Sequence, residues 1–144
     1  MRSRAEFRAL RESVGYSQAD VARALGVTVR SVRRWEIPTP GYRGAPADAW
    51  ALLDDAMERQ AATVAGSLDA VDGLREQVPD APVQLTYYRS QAQFDEYGRE
   101  PGTPYGAANA NTRLVADQLR CQGVDVSFAY PDDDGNIYHG VKNS

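Results

Sequence analysis

The sequence predicts a mainly α protein, in which a helical N-terminal domain is followed by a small α/β C-terminal part. Its 144 residues allow one ordinary domain or two small ones. Apolar residues recur at helical spacing through the first half of the chain and alternate with polar residues over 124–130, as in a strand. Residues 79–82 (PDAP) form a linker by composition. We therefore expect a first domain over 1–64, a helix end and linker over 65–82, and a second domain over 83–144.

Composition argues against several classes of protein. Hydrophobic residues make up 42% and charged residues 25%, as in soluble globular proteins. No apolar run approaches the roughly 20 residues of a membrane span, and the basic N-terminus lacks the apolar stretch of a secretory signal. Cys121 is the single cysteine and His139 the single histidine, which disfavours a disulfide, a zinc site and histidine-based catalysis. We expect a cytoplasmic protein that is not an enzyme, uses no cofactor, binds no metal and enters no membrane.

The net charge of −4 is unevenly distributed. Residues 1–43 contain nine arginines and four acidic residues, a net charge of +5, whereas residues 44–144 carry −9. A basic end on an acidic protein is typical of a protein that presents that end to a polyanion. The alternative is that both segments are simply solvated surfaces, and the charge alone does not decide between these interpretations.

Three short helices are predicted at the N-terminus. The first ends near Gly15, where the apolar spacing stops. Ser17 is a favourable N-cap for a helix over 18–25, and Gly26 follows where a helix end needs a left-handed residue. Thr28 caps a third helix, from Val29 to about Glu36. The residues expected to face inward are Phe7, Leu10, Val14, Val21, Ala22, Leu25, Val32 and Trp35.

Residues 37–41 (IPTPG) interrupt the helical pattern, and a second segment begins at Pro46, a favoured first helical residue. Gly66 and Gly73 make an unbroken helix costly, so we expect two helices or one bent helix over 46–78. The predicted apolar stripe consists of Trp50, Leu53, Met57, Ala61, Val64, Leu68, Val71 and Val78.

The C-terminal part is predicted to contain two strands and two helices. A strand over 83–88 precedes a short helix over 90–97 and a loop over 98–106. A helix over 111–122 then leads to the strand over 124–130. We expect the two strands to be parallel, because helices connect them. The residues expected on one buried face of the last strand are Val124, Val126, Phe128 and Tyr130. So small a unit favours dimerisation.

Residues 17–36 (SQADVARALGVTVRSVRRWE) carry the features of two perpendicular helices joined by a tight turn. Ala22 is small enough for the second helix to lie close, Gly26 permits the turn, and Val32 fills the interface. This stretch resembles the Cro/C1-type helix-turn-helix family of bacterial and phage regulators, whose pattern runs Gln-x-x-x-Ala-x-x-x-Gly-Val-Thr/Ser and closes on Trp-Glu. The resemblance covers about residues 4–64. It departs after Trp-Glu, where the usual short turn becomes IPTPGYRG.

The resemblance implies that the second helix of the pair enters the major groove of double-stranded DNA, with its first residues on base edges. Arg30 and Arg34 lie four residues apart on one face, and either could contact guanine O6 and N7. Val29 could meet a thymine methyl group, whereas Gln18 and Arg33 are better placed for phosphates. The predicted DNA-binding residues are Gln18, Thr28, Val29, Arg30, Ser31, Arg33, Arg34 and Arg43. The alternative is a helical protein that uses these surface residues for protein contacts.

The domain layout, together with the segment LTYYRSQAQFDEY, is also similar to two-domain regulators associated with anti-CRISPR operons. That resemblance implies a C-terminal dimerisation module and repression of the protein's own operon. The leading hypothesis is therefore a dimeric repressor that reads a palindromic operator through helix 29–36. Two alternatives stay open: an antitoxin-like protein that also binds a protein partner, and a ligand sensor that uses the C-terminal domain.

Overall fold

The computed structural model describes residues 2–133, so His139 and the end of the predicted second domain lie outside the described residues. The fold is mainly helical with a small two-stranded sheet, as predicted. In chain order the elements are α1 (Arg4–Val14), α2 (Gln18–Leu25), α3 (Val29–Glu36), α4 (Ala47–Gln77), β1 (Val83–Thr86), α5 (Gln91–Tyr97), α6 (Tyr105–Cys121) and β2 (Val126–Ala129). The chain divides into two compact units between Gln60 and Ala61, within α4.

The first three helices begin and end at the residues that the sequence indicates. Ser17 accepts the N–H of Asp20, whose carboxylate accepts the N–H of Ser17 in return, so α2 begins with a capping box. Thr28 caps α3 by accepting the N–H of Ser31. Gly15 and Gly26 follow α1 and α2 with φ of 79° and 67°, a left-handed conformation that glycine adopts without steric cost.

Phe7 is the centre of the N-terminal core, where it is fully buried. The rings of Trp35 and Trp50 meet it edge to face, with centroids 5.9 Å and 5.1 Å away. Other buried hydrophobic residues of this unit are Leu10, Val14, Tyr16, Val21, Ala22, Val32, Ala49, Leu53 and Ala56. The predicted inward residues are thus confirmed as buried, apart from Leu25 and Trp35, which are half-buried.

Helix α4 is continuous through Gly66 and Gly73, so of the two predicted alternatives, two helices or one bent helix, the first is wrong. Each glycine costs about 1 kcal/mol relative to alanine, and the good helix formers around them outweigh that cost. The predicted apolar stripe is also wrong in part. Met57 is 45% exposed, and the neighbouring Ala56 is buried in its place.

The C-terminal unit is built on two parallel strands, which confirms the predicted orientation. Val83 of β1 is opposite Val126 of β2, and Thr86 is opposite Ala129. Helices α5 and α6 lie between the strands in sequence, as parallel pairing requires. Val115 and Leu119 of α6 pack in a core cluster with Val64, Val83 and the partly buried Leu68, Val71, Leu85, Val124 and Val126.

Two predictions for this unit are wrong. Helix α6 begins at Tyr105 and not at residue 111, because Pro104 precedes its first turn and the alanines that follow have high helix propensity. Phe128 and Tyr130, expected on the buried face of the last strand, are 38% and 41% exposed, and Ala129 is buried. Strand β2 is short, so only Val124 and Val126 of the alternating set pack against the core cluster.

None of the helices within residues 2–133 combines the length and the hydropathy that a membrane crossing requires.

Candidate nucleic-acid interface

A buried ion pair ties the last residue of α3 to α1. Arg11 Nε and Nη2 donate to the two carboxylate oxygens of Glu36 at 2.6 and 2.8 Å, and the side chains are 11% and 2% exposed. Arg11 Nη1 also donates to the carbonyl oxygen of Tyr16 at 3.0 Å. Because a bidentate guanidinium–carboxylate pair has a defined geometry, it fixes the end of α3 relative to α1.

Gln18 lies at the start of α2, where the sequence predicted a phosphate contact. It is half-buried, and its Nε2 donates to Glu36 Oε1 at 3.3 Å. The amide therefore completes the polar surroundings of the buried ion pair, and its contact with a phosphate stays a prediction.

The N-terminal end of α3 combines exposed apolar, hydroxyl and cationic groups. Val29 is 38% exposed, and Arg30 beside it is exposed. The Thr28 and Ser31 hydroxyl oxygens lie 3.1 Å apart, and Thr28 Oγ1 accepts the Ser31 N–H at the same distance. The cap holds this end of the helix in one conformation, which suits a surface that must match a rigid partner.

The nine arginines of residues 1–43 have different surroundings. Four of them pair with carboxylates: Arg2 with Asp54, Arg8 with Glu12, Arg11 with Glu36 and Arg23 with Asp20. Arg4 donates to backbone carbonyls, and Arg34 lies over the Tyr42 ring. No partner for the guanidinium groups of Arg30, Arg33 and Arg43 occurs within residues 2–133. These three residues lie on α3 or in the loop after it, among the predicted DNA-binding residues.

The Arg2–Asp54 pair is an example of an arginine of residues 1–43 that pairs with a carboxylate within the fold. Arg2 Nη1 and Nη2 donate to the two oxygens of Asp54 at 2.8 and 2.6 Å, and this hydrogen bonding lowers the pKa of the Asp54 carboxyl group. The guanidinium also lies 4.2 Å from the centroid of Trp50. Arg2 is therefore engaged in holding the start of the chain on α4.

Comparison with protein families matches residues 7–37 to the helix-turn-helix model. This segment is a helix-turn-helix of the Cro/C1 type. The match contains α2, the turn at Gly26 and α3, and it supports a DNA-binding transcription regulator. Comparison with curated proteins gives no match.

The loop after the helix-turn-helix is held to its second helix by Arg4. The guanidinium donates to the carbonyl oxygens of Arg34 and Tyr42 at 2.5 and 2.6 Å. Longer bonds reach the carbonyls of Trp35 and Arg43 at 3.3 and 3.4 Å. Carbonyls at a helix C-terminus have no partner within the helix, and Arg4 satisfies them.

Sequence reasoning missed the buried ion pair, although the sequence contains a signal for it. Arg11 falls four residues after Phe7, within the apolar stripe of α1, and Glu36 falls four residues after the buried Val32. Opposite charges in the apolar stripes of two neighbouring helices are typical of a buried pair, because a charge is rarely buried alone. The sequence contains no comparable signal for the hydrogen bonds between Arg4 and its carbonyl partners.

The C-terminal unit has a cavity at the carboxyl ends of its strands. Its volume is about 350 Å³, and the lining residues are Tyr87, Arg113, Phe128, Ala129, Tyr130 and Asp133. Arg113 Nη1 donates to the Tyr87 hydroxyl oxygen at 2.6 Å. Asn109 accepts the N–H of Tyr88 and donates to its carbonyl, which fixes the chain where β1 ends. Within residues 2–133, no three His, Cys, Asp or Glu side chains are grouped closely enough to hold a metal ion.

Proposed function

We propose that this protein is a dimeric, sequence-specific repressor that reads a palindromic operator with α3 and represses its own operon. The observation that supports it is the placement of unpaired positive charge. Arg30, Arg33 and Arg43, whose guanidinium groups lack a partner in the part of the chain described, are on or just after the exposed helix of the helix-turn-helix. A polyanion would supply the missing counter-charge.

The residue types of α3 suit the major groove. An arginine can contact guanine O6 and N7 together, and an apolar side chain can meet a thymine methyl group. We assign these roles to Arg30 and Val29, which lie in the first turn of α3. We assign phosphate contacts to Arg33 and Arg43, because such contacts position a protein without reading sequence.

The first experiment is to recover genomic DNA fragments with the purified full-length chain and to footprint the bound site. Affinity for that site is then measured by fluorescence anisotropy over a range of salt concentrations. Because arginine–phosphate contacts release counterions, affinity should fall steeply as salt rises. Failure of the wild-type chain to select any site would contradict the proposed function.

Two substitutions separate base reading from phosphate binding. Arg30→Ala should cost about 1–3 kcal/mol of binding free energy and relax preference at one or two base pairs. Arg33→Ala should weaken all sites about equally and reduce the salt slope by about 1. Arg8→Ala removes the same charge from the exposed face of α1 and is the matched control. Unchanged base preference in Arg30→Ala would contradict the assigned orientation of α3.

The exposed aromatic residues of the C-terminal unit support the dimer. The sheet has two strands within residues 2–133, and Phe128 of β2 and Tyr130 just after it are both substantially exposed. One recognition helix reads only a few base pairs, whereas two copies related by a two-fold axis read half-sites about 34 Å apart. The charge of −9 over residues 44–144 would keep that part of each copy away from the phosphates.

Sedimentation or light scattering of the full-length chain tests the dimer. Phe128→Ser should shift the chain toward monomer at micromolar concentration, because it removes an exposed apolar side chain from the proposed interface. Tyr105→Ser changes an aromatic residue of similar exposure outside both strands and should leave the dimer intact. A monomeric wild-type chain, or a Phe128→Ser variant that dimerises normally, would contradict this proposal.

The cavity favours a second candidate function, a ligand sensor. Small molecules bind to open α/β sheets beyond the carboxyl ends of the parallel strands, and Tyr87 and Tyr130 follow β1 and β2 there. Aromatic walls beside the Arg113 guanidinium suit an aromatic anion. Screening aromatic carboxylates for a change in operator affinity tests this candidate, with Arg113→Ala as the variant expected to abolish any response.

A further inference from the structure

The loop that follows the helix-turn-helix brings an aromatic ring against an arginine of the recognition helix. The Arg34 guanidinium carbon lies 4.0 Å from the centroid of the Tyr42 ring. Tyr42 is 47% exposed, whereas Arg34, one of the predicted DNA-binding residues, is half-buried. Tyr42 belongs to the stretch IPTPGYRG, where this chain departs from the short turn of the Cro/C1 type.

The ring is held in place by the backbone on which it lies. Arg4 donates to the carbonyl oxygens of both Arg34 and Tyr42, so one guanidinium joins the last turn of α3 to the loop. The Tyr42 N–H donates to the Thr39 carbonyl at 3.1 Å, and Gly41 between them has φ of 81°. Few residues other than glycine adopt that conformation, so the turn that presents Tyr42 depends on Gly41.

A guanidinium carbon that lies 4.0 Å over a ring centroid is close enough for the group to present its face to the ring and to keep its edge free. The N–H donors of arginine lie in the plane of the group, where bidentate contacts with a base edge or a phosphate are made. Within residues 2–133 the Arg34 guanidinium has no hydrogen bond or ion pair, so the contact with Tyr42 does not occupy these donors. Arg30, one turn earlier on the same helix, is exposed and has no aromatic neighbour of this kind in the described chain.

We propose that Tyr42 is a positioning residue for Arg34: it holds the guanidinium flat, with its in-plane donors directed to a base edge of the operator. This inference rests on the proposed function. A free arginine side chain loses rotamer freedom when it binds, and a side chain already held by a ring loses less. Arg34 therefore contacts a base edge at a smaller cost in rotamer freedom than Arg30, which has no such ring contact in the described chain.

The test compares Tyr42→Leu with Tyr42→Phe in the full-length chain. A cation–π contact at an exposed site corresponds to about a two- to fivefold change in affinity, so Tyr42→Leu should weaken operator binding by that factor. It should also reduce discrimination at the base pair that is affected by Arg34→Ala. Tyr42→Phe keeps the ring and should behave as wild type. Non-specific DNA binding should not change, which separates positioning from a general loss of structure.

A double substitution makes the inference falsifiable. In an Arg34→Ala background, Tyr42→Leu should have no further effect on operator affinity. In thermal melts Tyr42→Phe should match wild type, and Tyr42→Leu should remain folded with a melting temperature lower by only a few degrees, as the loss of one exposed cation–π contact predicts. Wild-type discrimination in Tyr42→Leu, or a loss that persists without Arg34, would overturn the inference while the proposed function stands. A wild-type chain that selects no DNA would overturn the proposed function and this inference with it.

Discussion

The buried pair of Arg11 and Glu36 predicts a large and unequal response to single substitutions. Arg11→Met leaves a carboxylate that is 2% exposed, with the Gln18 amide at 3.3 Å as its remaining side-chain partner. Glu36→Gln keeps the volume and one acceptor oxygen but leaves a cation without its counter-charge. Breaking one side of a buried pair costs about 3–5 kcal/mol. We expect Arg11→Met at the upper end of that range and Glu36→Gln at the lower end.

That cost is comparable with the stability of the whole N-terminal unit. At about 0.05–0.15 kcal/mol per residue, a unit of the length of Met1–Gln60 has a free energy of unfolding of roughly 3–9 kcal/mol. Either single variant should therefore lose at least about a third of the free energy of unfolding of this unit. Arg11→Met with Glu36→Leu should recover most of the loss, because two apolar residues of similar size leave no buried charge.

The measurement is urea unfolding of the full-length chain, followed by tryptophan fluorescence. Trp35 and Trp50 are the only tryptophans, and both contact Phe7 in the N-terminal core, so the signal reports on this unit alone. Arg8→Met breaks an exposed pair on the same helix and should hardly move the midpoint. The reasoning would be refuted if Arg11→Met were no less stable than Arg8→Met. It would also be refuted if the double variant lost as much free energy of unfolding as its two single substitutions lose together.

Two further predictions concern backbone conformation and pH. An added Cβ meets no atom within 4 Å at Gly26 or at Gly66, but only Gly26 has a positive φ. Gly66→Ala should therefore raise stability by about 0.5–1 kcal/mol, and Gly26→Ala should lower it by about 1–2 kcal/mol, in thermal melts followed by circular dichroism. Hydrogen bonds from Arg2 lower the pKa of Asp54 in the folded state. The stability that these bonds contribute is therefore fully present above the pKa that Asp54 has in the unfolded chain, and it is lost as the pH falls through the folded-state pKa. Carbon NMR should show the Asp54 titration moving to higher pH in Arg2→Gln, and an unmoved titration would contradict this.

The sequence predicted the helix-turn-helix in detail because its signals are local. A hydroxyl side chain at Ser17 or Thr28 and a glycine at Gly15 or Gly26 act within three or four residues, and the helix ends follow from them. The parallel strands were also predictable, since two strands joined through helices have few other arrangements.

The remaining features depend on distant parts of the chain. The Arg4 donors reach carbonyls about thirty to forty residues away, and no local pattern indicates which ones. Exposure of Phe128 depends on how much of the short strand β2 the helices cover, which alternation of residue types does not specify. The residues for binding DNA were named from the resemblance, and the ring that contacts Arg34 lies in the loop where this chain departs from the pattern of that family.

The charge of the N-terminal segment can be interpreted only when its arginines are grouped by the residues that each one contacts. A net charge of +5 describes a diffuse attraction to any polyanion. In the folded unit, four of the nine arginines are neutralised by carboxylates, and one satisfies helix-terminal carbonyls. The remaining charge is concentrated at α3 and the loop after it, on Arg30, Arg33, Arg34 and Arg43. Folding thus leaves the arginines that have no carboxylate or carbonyl partner in the described chain on α3 and in the loop after it, and the Arg11–Glu36 pair fixes the end of α3. Affinity for DNA and stability of the unit are therefore carried by different arginines. Arg33→Ala should weaken binding without destabilising the unit, whereas Arg11→Met should destabilise the unit and lose binding only as a consequence of unfolding.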